Sequence, residues 1–279
     1  MIHTSKQLKD KIRNISKSDS RIAQALIRNF VMERFLERVS VSKYRDVFVL
    51  KGGMLVASLV GVNLRSTMDI DTTVNELSIS ETNVRSIINE IIDIPIGDGV
   101  TFKIDSCKEI MSDFEYPGIR VIMCALLEKM KQQFKIDIST GDIVTPSAIE
   151  YEFKLMFENR TIQLMTYNVE TLLAEKLQTI LSRDIANTRM RDFYDIYTII
   201  KEQKNVLSKA TLVTAFEATC RKRGTIFTKH KTNVVLHNLT NDPEIIRRWN
   251  NFKEDNYFVG DIVWADAMEA VRTIIHAVN

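Results

Sequence analysis

Two aspartates, Asp69 and Asp71, lie two residues apart in a segment, residues 68–74, that alternates in the way of a β-strand. Because alternate residues of a strand point to the same face, we expect both carboxylates to project together. Adjacent carboxylates repel each other unless a cation lies between them, and aspartate is depleted in strands. The pair therefore predicts a metal site, with Mg²⁺ as the natural ion for oxygen ligands that also receive substrate phosphates. A solvated strand face is the alternative.

A third carboxylate, Asp137, lies in residues 133–139, where apolar side chains alternate with Lys135, Asp137 and Ser139. If this strand lies beside the first, Asp137 completes a three-carboxylate site. Such a site can hold two metal ions about 4 Å apart for in-line phosphoryl displacement. An exposed aspartate next to a lysine is the alternative, and Asp105, at the end of an earlier strand, is a weaker candidate.

The chain contains nine glycines, and one pair of them is adjacent, at Gly52 and Gly53. A strand is predicted before the pair, over residues 47–50, and a helix after it, over residues 54–60. A Gly-Gly turn lets backbone N–H groups approach a phosphate, and the N-terminus of the following helix favours negative charge. Together with Lys51, the turn predicts phosphate binding; a tight turn without a ligand is the alternative. No Gly-Lys-Ser/Thr follows, which excludes a Walker loop.

Charged residues in the C-terminal half form two further groups. Lys176 falls on the helical stripe of Leu172 and Ile180, where a lysine either snorkels to solvent or meets an anion such as a triphosphate. Asp192 and Asp195 lie one turn apart at a helix start. They either cap the helix and form salt bridges, or Asp192 lies beside the nucleotide or the acceptor hydroxyl.

The overall charge is nearly balanced: 38 Lys and Arg against 36 Asp and Glu give a net charge of +2. Net charge alone therefore does not indicate a nucleic-acid-binding protein. The basic residues 221–223 and 229–231 could bind an RNA backbone, although a solvated helix end is the commoner meaning of such a run.

The cysteines and the apolar segments indicate the cellular compartment. The three cysteines are scattered and form no CxxC pair, which favours a reducing environment, and the four histidines show no zinc spacing. The N-terminus lacks an apolar signal core, and no apolar stretch is long enough to span a bilayer. We expect a cytoplasmic protein without a membrane anchor.

The predicted elements change character along the chain. Strands concentrate before about residue 166, and helices follow over residues 169–183, 190–203, 207–221, 243–252 and 261–277. This division predicts an α+β domain over residues 1–166 and a helical domain over residues 167–279, with a cleft at their junction.

Five short motifs occur in the order seen in a known family. The chain resembles the AbiEii/AbiGii toxins, nucleotidyltransferase-like proteins of bacterial abortive-infection (phage-resistance) type IV toxin–antitoxin systems that are related to the MenT toxins. The resemblance covers residues 45–200. It rests on Lys51-Gly52-Gly53, Arg65-x-Thr67-x-Asp69-x-Asp71, Lys135-x-Asp137 with Asp142, Glu175-Lys176-Leu177 and Arg191-Asp192-Phe193-Tyr194-Asp195.

The resemblance implies a polymerase-β-like nucleotidyltransferase core with a mixed sheet, followed by a helical C-terminal domain that contributes Lys176 and Asp192 to the cleft. It implies catalytic roles for Asp69, Asp71, Lys176 and Asp192, with Asp195 as the alternative second acid. It implies nucleotide binding by Lys51, Gly52, Gly53, Arg65, Thr67 and Lys176, and metal binding by Asp69, Asp71 and Asp137. Many nucleotidyltransferases have Gly-Ser where this chain has Gly52-Gly53, so phosphate binding must rely on backbone donors or on Thr67.

The function implied is Mg²⁺-dependent transfer of a nucleotide from an NTP to an RNA, with the tRNA 3′ end as the expected acceptor. A cognate antitoxin, expected to be a transcriptional repressor, would oppose the activity. A small molecule or a protein side chain is an alternative acceptor. A non-catalytic NTP- or RNA-binding module is a third hypothesis, but an acidic pair without a metal would repel the ligand.

Overall fold

The computed structural model describes residues 1–62, 64–74, 80–110, 118–203 and 206–279. These residues form two compact units. The first comprises Met1–Asp142 and Ile149–Thr166, and the second comprises Ile143–Ala148 and Tyr167–Asn279.

The first unit is built on a mixed sheet, which has seven strands within the described residues and the order β3-β4-β5-β2-β1-β7-β6. The pairs β2–β5 and β1–β7 are parallel and the other neighbours are antiparallel. This mixed sheet, with a helical C-terminal part after it, confirms the predicted α+β class. The strands are β1 (Phe48–Lys51), β2 (Asp69–Val74), β3 (Val100–Ile110), β4 (Gly118–Leu127), β5 (Met130–Thr140), β6 (Ile149–Lys154) and β7 (Thr161–Thr166).

Strands β4 and β5 each have one buried face and one open face. On β5, Phe134, Ile136 and Ile138 are buried, whereas Lys135 is exposed and Asp137 is half-buried. The predicted alternation of this strand is therefore confirmed. The first unit also contains four helices in its described part: α1 (Ser5–Ser16), α2 (Ser20–Val41), α3 (Gly52–Val60) and α4 (Glu81–Ile92).

A β-bulge interrupts β3. Its register against β4 shifts between Ile104 and Ser106, so that Lys103 pairs with Cys124 and Lys108 pairs with Arg120. The extra residue, Asp105, thereby brings positions 103 and 108, which are five residues apart, to the same face of the sheet.

The second unit is helical in its described part, and its helices begin at polar caps such as Asn168, Thr228 and Asp242. Its core includes the buried rings of Trp249 and Trp264, whose centroids are 5.6 Å apart. No helix in the described ranges is both long and apolar enough to cross a membrane. The helices are α5 (Val169–Arg183), α6 (Met190–Gln203), α7 (Lys209–Lys222), α8 (Lys229–Asn241), α9 (Pro243–Asp255) and α10 (Trp264–Val278).

Three elements were missing from the sequence prediction: α1, β6 and α8. The basic residues 229–231, which were expected at a helix end or in a loop, form the first turn of α8. On β6, Ile149, Tyr151 and Phe153 alternate with charged residues, so its period of two was a usable signal.

Candidate active site

The acidic cluster, which we define as Asp69, Asp71 and Asp137, lies on two neighbouring parallel strands. Strands β2 and β5 pair so that Asp71 stands directly beside Asp137. One carboxylate oxygen from each of the three residues lies within 4.8 Å of the other two, and all three side chains are half-buried. Strands β2 and β5 are therefore neighbours, which was the condition for predicting Asp137 as the third carboxylate. Asp105 instead lies at the bulge of β3, where it accepts a hydrogen bond from Gln133 at 2.7 Å.

The acidic cluster concentrates negative charge. Burial raises the pKa of Asp71 to about 6, and the negative charges of Asp69 and Asp137 add to the rise. A cation among the three carboxylates would remove this repulsion. The ligand set consists only of carboxylate oxygens, which suits a hard divalent cation such as Mg²⁺. The residues present therefore fit the metal that the resemblance implies.

The Gly-Gly turn lies directly against this cluster. Gly52 has φ +64°, and a Cβ atom at this position would stand 1.9 Å from Asp71 Oδ2. The backbone N–H of Gly53 donates to the same oxygen at 3.3 Å, and α3 begins at Gly52. The absence of side chains thus allows the N-terminus of a helix to approach the Asp71 carboxylate, where its dipole favours negative charge.

Thr67 and Arg65 lie beneath the turn, and both are buried. Thr67 Oγ1 donates to Asp69 Oδ1 at 2.9 Å and fixes the orientation of that carboxylate. Arg65 donates to the backbone carbonyl of Ser66, and one of its guanidinium nitrogens would be 3.1 Å from a Cβ at Gly53. In this structure both residues support the turn and the cluster; their contact with nucleotide phosphates stays a prediction.

Lys51 is held by two residues near the end of β5. Its Nζ donates to Ser139 Oγ at 2.8 Å and forms an ion pair with Asp142, which also accepts from Ser139 at 2.7 Å. Burial alone would raise the pKa of Asp142, but the charge of Lys51 lowers it below its usual value. Lys51 also pairs across the strands with Asp71, and its positive charge opposes the rise in the pKa of Asp71. Asp142 belongs to one of the motifs in the sequence, but its contact with Lys51 was not predicted.

Arg120 on β4 belongs to the site, although it was not predicted from the sequence. Its Nε and Nη2 donate to the two oxygens of Asp137, each at 2.7 Å. Hydrogen bonding to Asp137 raises the pKa of Arg120, and the charges of Asp69 and Asp71 act in the same direction. A signal was available, because Arg120 is the one charged residue in the ten-residue strand GIRVIMCALL. A lone charge in an otherwise apolar strand indicates a position that faces solvent or an opposite charge.

Lys176, in the second unit, forms a buried ion cluster between α5 and α6. Its Nζ donates to Asp192 Oδ1 at 3.1 Å and to Asp195 Oδ2 at 2.7 Å, while Arg189 Nε donates to Asp192 Oδ2 at 2.8 Å. Burial would raise the pKa of Asp192, but Lys176 and Arg189 lower it below its usual value. Asp192 and Asp195 therefore both form salt bridges in this structure, and Lys176 is the cation that they share.

The basic run divides into a structural part and an exposed part. Arg223 is half-buried, and its Nη1 donates to Gln178 Oε1 at 2.6 Å and to Thr179 Oγ1 at 3.1 Å. Lys229 and Lys231 are exposed at the start of α8. Arg223 thus joins α7 to α5, while the lysines remain accessible.

Comparisons with known proteins agree with these observations. Two solved structures share the fold: JHP933 from Helicobacter pylori, at 14% identity and TM-score 0.50, and a "putative nucleotidyltransferase" from H. pylori, at 15% identity and TM-score 0.50. Each comparison covers 91% of this chain, and 93% and 96% of the respective neighbour. No curated protein matched significantly in sequence. The family model "Nucleotidyl transferase AbiEii toxin, Type IV TA system" matches residues 34–273. The chain therefore belongs to the AbiEii nucleotidyltransferase toxins of type IV toxin–antitoxin systems.

Proposed function

We propose that the chain is a Mg²⁺-dependent nucleotidyltransferase toxin that transfers a nucleotide from an NTP to the 3′ end of an RNA, with tRNA as the acceptor. The observation that carries the proposal is the three-carboxylate cluster directly beside a Gly-Gly turn at a helix N-terminus. Membership of a nucleotidyltransferase family supports the reaction class. A cognate antitoxin is implied by the family, and we propose that it is a transcriptional repressor.

In this proposal Asp69, Asp71 and Asp137 hold the metal. Bound Mg²⁺ would lower the pKa of the acceptor hydroxyl and offset the charge of the leaving pyrophosphate. Thr67 orients Asp69, and the Gly53 N–H orients Asp71. The backbone at the Gly-Gly turn receives the triphosphate, because N–H groups in the first turn of a helix bind phosphate.

Lys51, Arg65 and Lys176 are proposed to contribute positive charge to the nucleotide, and Asp192 is proposed as the second essential acid. In the transfer, the acceptor hydroxyl oxygen forms a bond to the α-phosphorus of the NTP. The bond between that phosphorus and the pyrophosphate oxygen breaks, pyrophosphate leaves, and the hydroxyl proton passes to solvent.

The test is transfer of label from each of the four α-³²P-labelled NTPs to deacylated tRNA, with and without Mg²⁺. We expect label on tRNA only with the metal. Asp69→Asn should reduce transfer by about a hundredfold or more, because it removes one ligand charge while keeping the side-chain shape. Asp93→Asn, at an exposed aspartate that ends α4, is the matched control and should transfer at the wild-type rate.

Total protein and an aminoglycoside are offered as acceptors in parallel reactions. Label that appears only on protein or only on the drug would replace the RNA acceptor with the corresponding alternative. Transfer that is unchanged in Asp69→Asn would contradict the proposed role of the cluster.

A further inference from the structure

The open face of β3, β4 and β5 carries a group of basic side chains. We call it the basic strand face and define it as Lys103, Lys108, Arg120, Lys131 and Lys135. The four lysines are exposed, and Arg120 is 40% exposed. The bulge of β3 places Lys103 and Lys108 on the same side of the sheet. Lys103 pairs with Cys124 and Lys108 pairs with Arg120, and these two β4 residues point to the same face. Two acidic residues of these strands lie on the same face: Asp137, which pairs with Arg120, and Asp105, which lies at the bulge and accepts a hydrogen bond from Gln133.

The basic strand face is continuous with the acidic cluster. A single cross-strand row runs over five strands through pairs that are directly opposite each other. With strands about 4.8 Å apart, Lys108 lies about 15 Å from Asp71 along this row. In order from β1 to β3, the row reads Lys51, Asp71, Asp137, Arg120 and Lys108.

The two ends of this row differ in what they can bind. At the β1 end, Lys51 is paired with Asp142 and the Gly-Gly turn is adjacent. At the β3 end, Lys108 is exposed. In-line displacement requires the attacking oxygen and the leaving group on opposite sides of the phosphorus. If the triphosphate occupies the β1 end, the acceptor hydroxyl must approach from β5 and β4.

An RNA acceptor brings more negative charge to a site that already has three carboxylates and, in the proposed function, a triphosphate beside the metal. Lysines beside the path offset that charge and provide the salt-dependent affinity that basic side chains give to nucleic acids. The half-buried side chains of Ile122 and Leu126 lie between the charged positions of this face and offer apolar contact to sugars and bases.

We propose that the basic strand face binds the sugar–phosphate backbone of the acceptor RNA and leads its 3′ end to the acidic cluster. The inference rests on the proposed function for the direction of the RNA, and its partner is a single-stranded RNA end. Lys103, Lys108 and Lys135 would each contact a phosphate. Arg120 holds Asp137 and marks the inner limit of the RNA-binding surface.

The test compares RNA binding by two triple variants of the full chain. The first is Lys103→Gln, Lys108→Gln and Lys135→Gln. The matched control, Lys6→Gln, Lys9→Gln and Lys11→Gln, removes the same charge from exposed positions of α1 in the same unit. Fluorescence anisotropy with 3′-labelled deacylated tRNA is measured over a series of salt concentrations. Thermal unfolding and Mn²⁺ binding report whether each variant retains the fold and the acidic cluster.

We expect the first variant to lose at least about tenfold in affinity, with the slope of log K against log salt reduced by about 2 to 3, about one for each phosphate contact removed. The control should keep the wild-type slope, and both variants should bind Mn²⁺ normally. If the first variant binds tRNA like the control, the inference is wrong while the proposed function stands. If the wild-type chain itself binds no tRNA, the RNA acceptor of the proposed function fails as well.

Discussion

At the scale of single residues, the acidic cluster depends on a position without a side chain. Gly52 has a left-handed backbone, and a Cβ there would overlap Asp71 Oδ2 at 1.9 Å. A side chain at this position would have to displace either the carboxylate or the start of α3. Asp71 therefore keeps its orientation only while position 52 remains glycine.

Gly52→Ala should weaken Mn²⁺ binding and lower nucleotide transfer by about a hundredfold, the cost of a displacement of about 1 Å in a catalytic site. Mn²⁺ binding by electron paramagnetic resonance and the tRNA transfer assay measure the two effects. Gly97→Ala is the matched control, because Gly97 has φ +68° and open space around it. It should cost about 1 kcal/mol of stability through backbone strain and leave metal binding intact. Equal metal affinity in both variants would show that Gly52 has no role in the site.

The sequence predicted these residues unevenly. Asp69 and Asp71 were accessible because a period of two places them on one face whatever their neighbours are. Asp137 could be assigned only on the condition that its strand lay beside β2, since strand adjacency is a long-range property. Arg120 escaped notice because its partner, Asp137, belongs to another strand. The contact of Lys51 with Asp142 depends in the same way on the register of β1, β2 and β5.

At the scale of elements, α5 and α6 are joined by charge. Lys176 is about 10% exposed and contacts Asp192 and Asp195, so removing it leaves two buried carboxylates without this cation. Loss of activity in a Lys176 variant would therefore be ambiguous. A lysine that binds the nucleotide and a lysine that only holds the helices together would both be needed for activity.

A double variant separates the two roles. Lys176→Met should lower the free energy of unfolding by about 3 to 5 kcal/mol, as expected when one partner of a buried ion pair is removed. Adding Asp195→Asn should restore part of that loss, because one uncompensated charge is removed. Urea unfolding gives the stability, and the transfer assay gives the KM for NTP.

If Lys176 contacts the triphosphate, the double variant should regain stability while its KM for NTP remains raised. Asp195→Asn alone is the control, since it keeps the lysine and its bond to Asp192. Recovery of the wild-type KM together with stability would make Lys176 a purely structural residue.

Elements with a local signature were predicted better than those without one. The alternation of β5 and the helix over residues 169–183, which is α5, were readable from the sequence. Helix α8 was missed because its first turn is a run of basic residues, although Thr228 caps it by accepting from Lys231 N at 3.2 Å. The bulge in β3 could not be predicted, because it is defined only by the register of β3 against β4.

At the scale of the whole molecule, a net charge of +2 conceals two opposite local concentrations of charge. The acidic cluster and the basic strand face lie on neighbouring strands of one sheet. Three negative and five positive charges partly offset each other in the total. Composition was therefore uninformative about nucleic acid, and only the strand order shows which charges lie together.

Expression of the full chain should arrest bacterial growth, because the family consists of toxins and we propose that this one modifies tRNA. Colony counts after induction measure the effect. Asp69→Ala should restore growth by several orders of magnitude at equal protein level, with Asp93→Ala as the toxic control. Growth arrest that persists in Asp69→Ala would separate toxicity from the acidic cluster.

The parallel pairing of β2 with β5 has a consequence for synthesis of the protein. Asp69 and Asp71 are translated more than sixty residues before Asp137, and β5 must insert between β2 and β4 before the three carboxylates meet. Non-local pairing of this kind forms late, because the intervening loop must close first. A nascent chain on the ribosome, or a fragment truncated before β5, thus lacks the third carboxylate. In the proposed function, the toxin would therefore become active only after residue 137 has been synthesised and β5 has paired with β2.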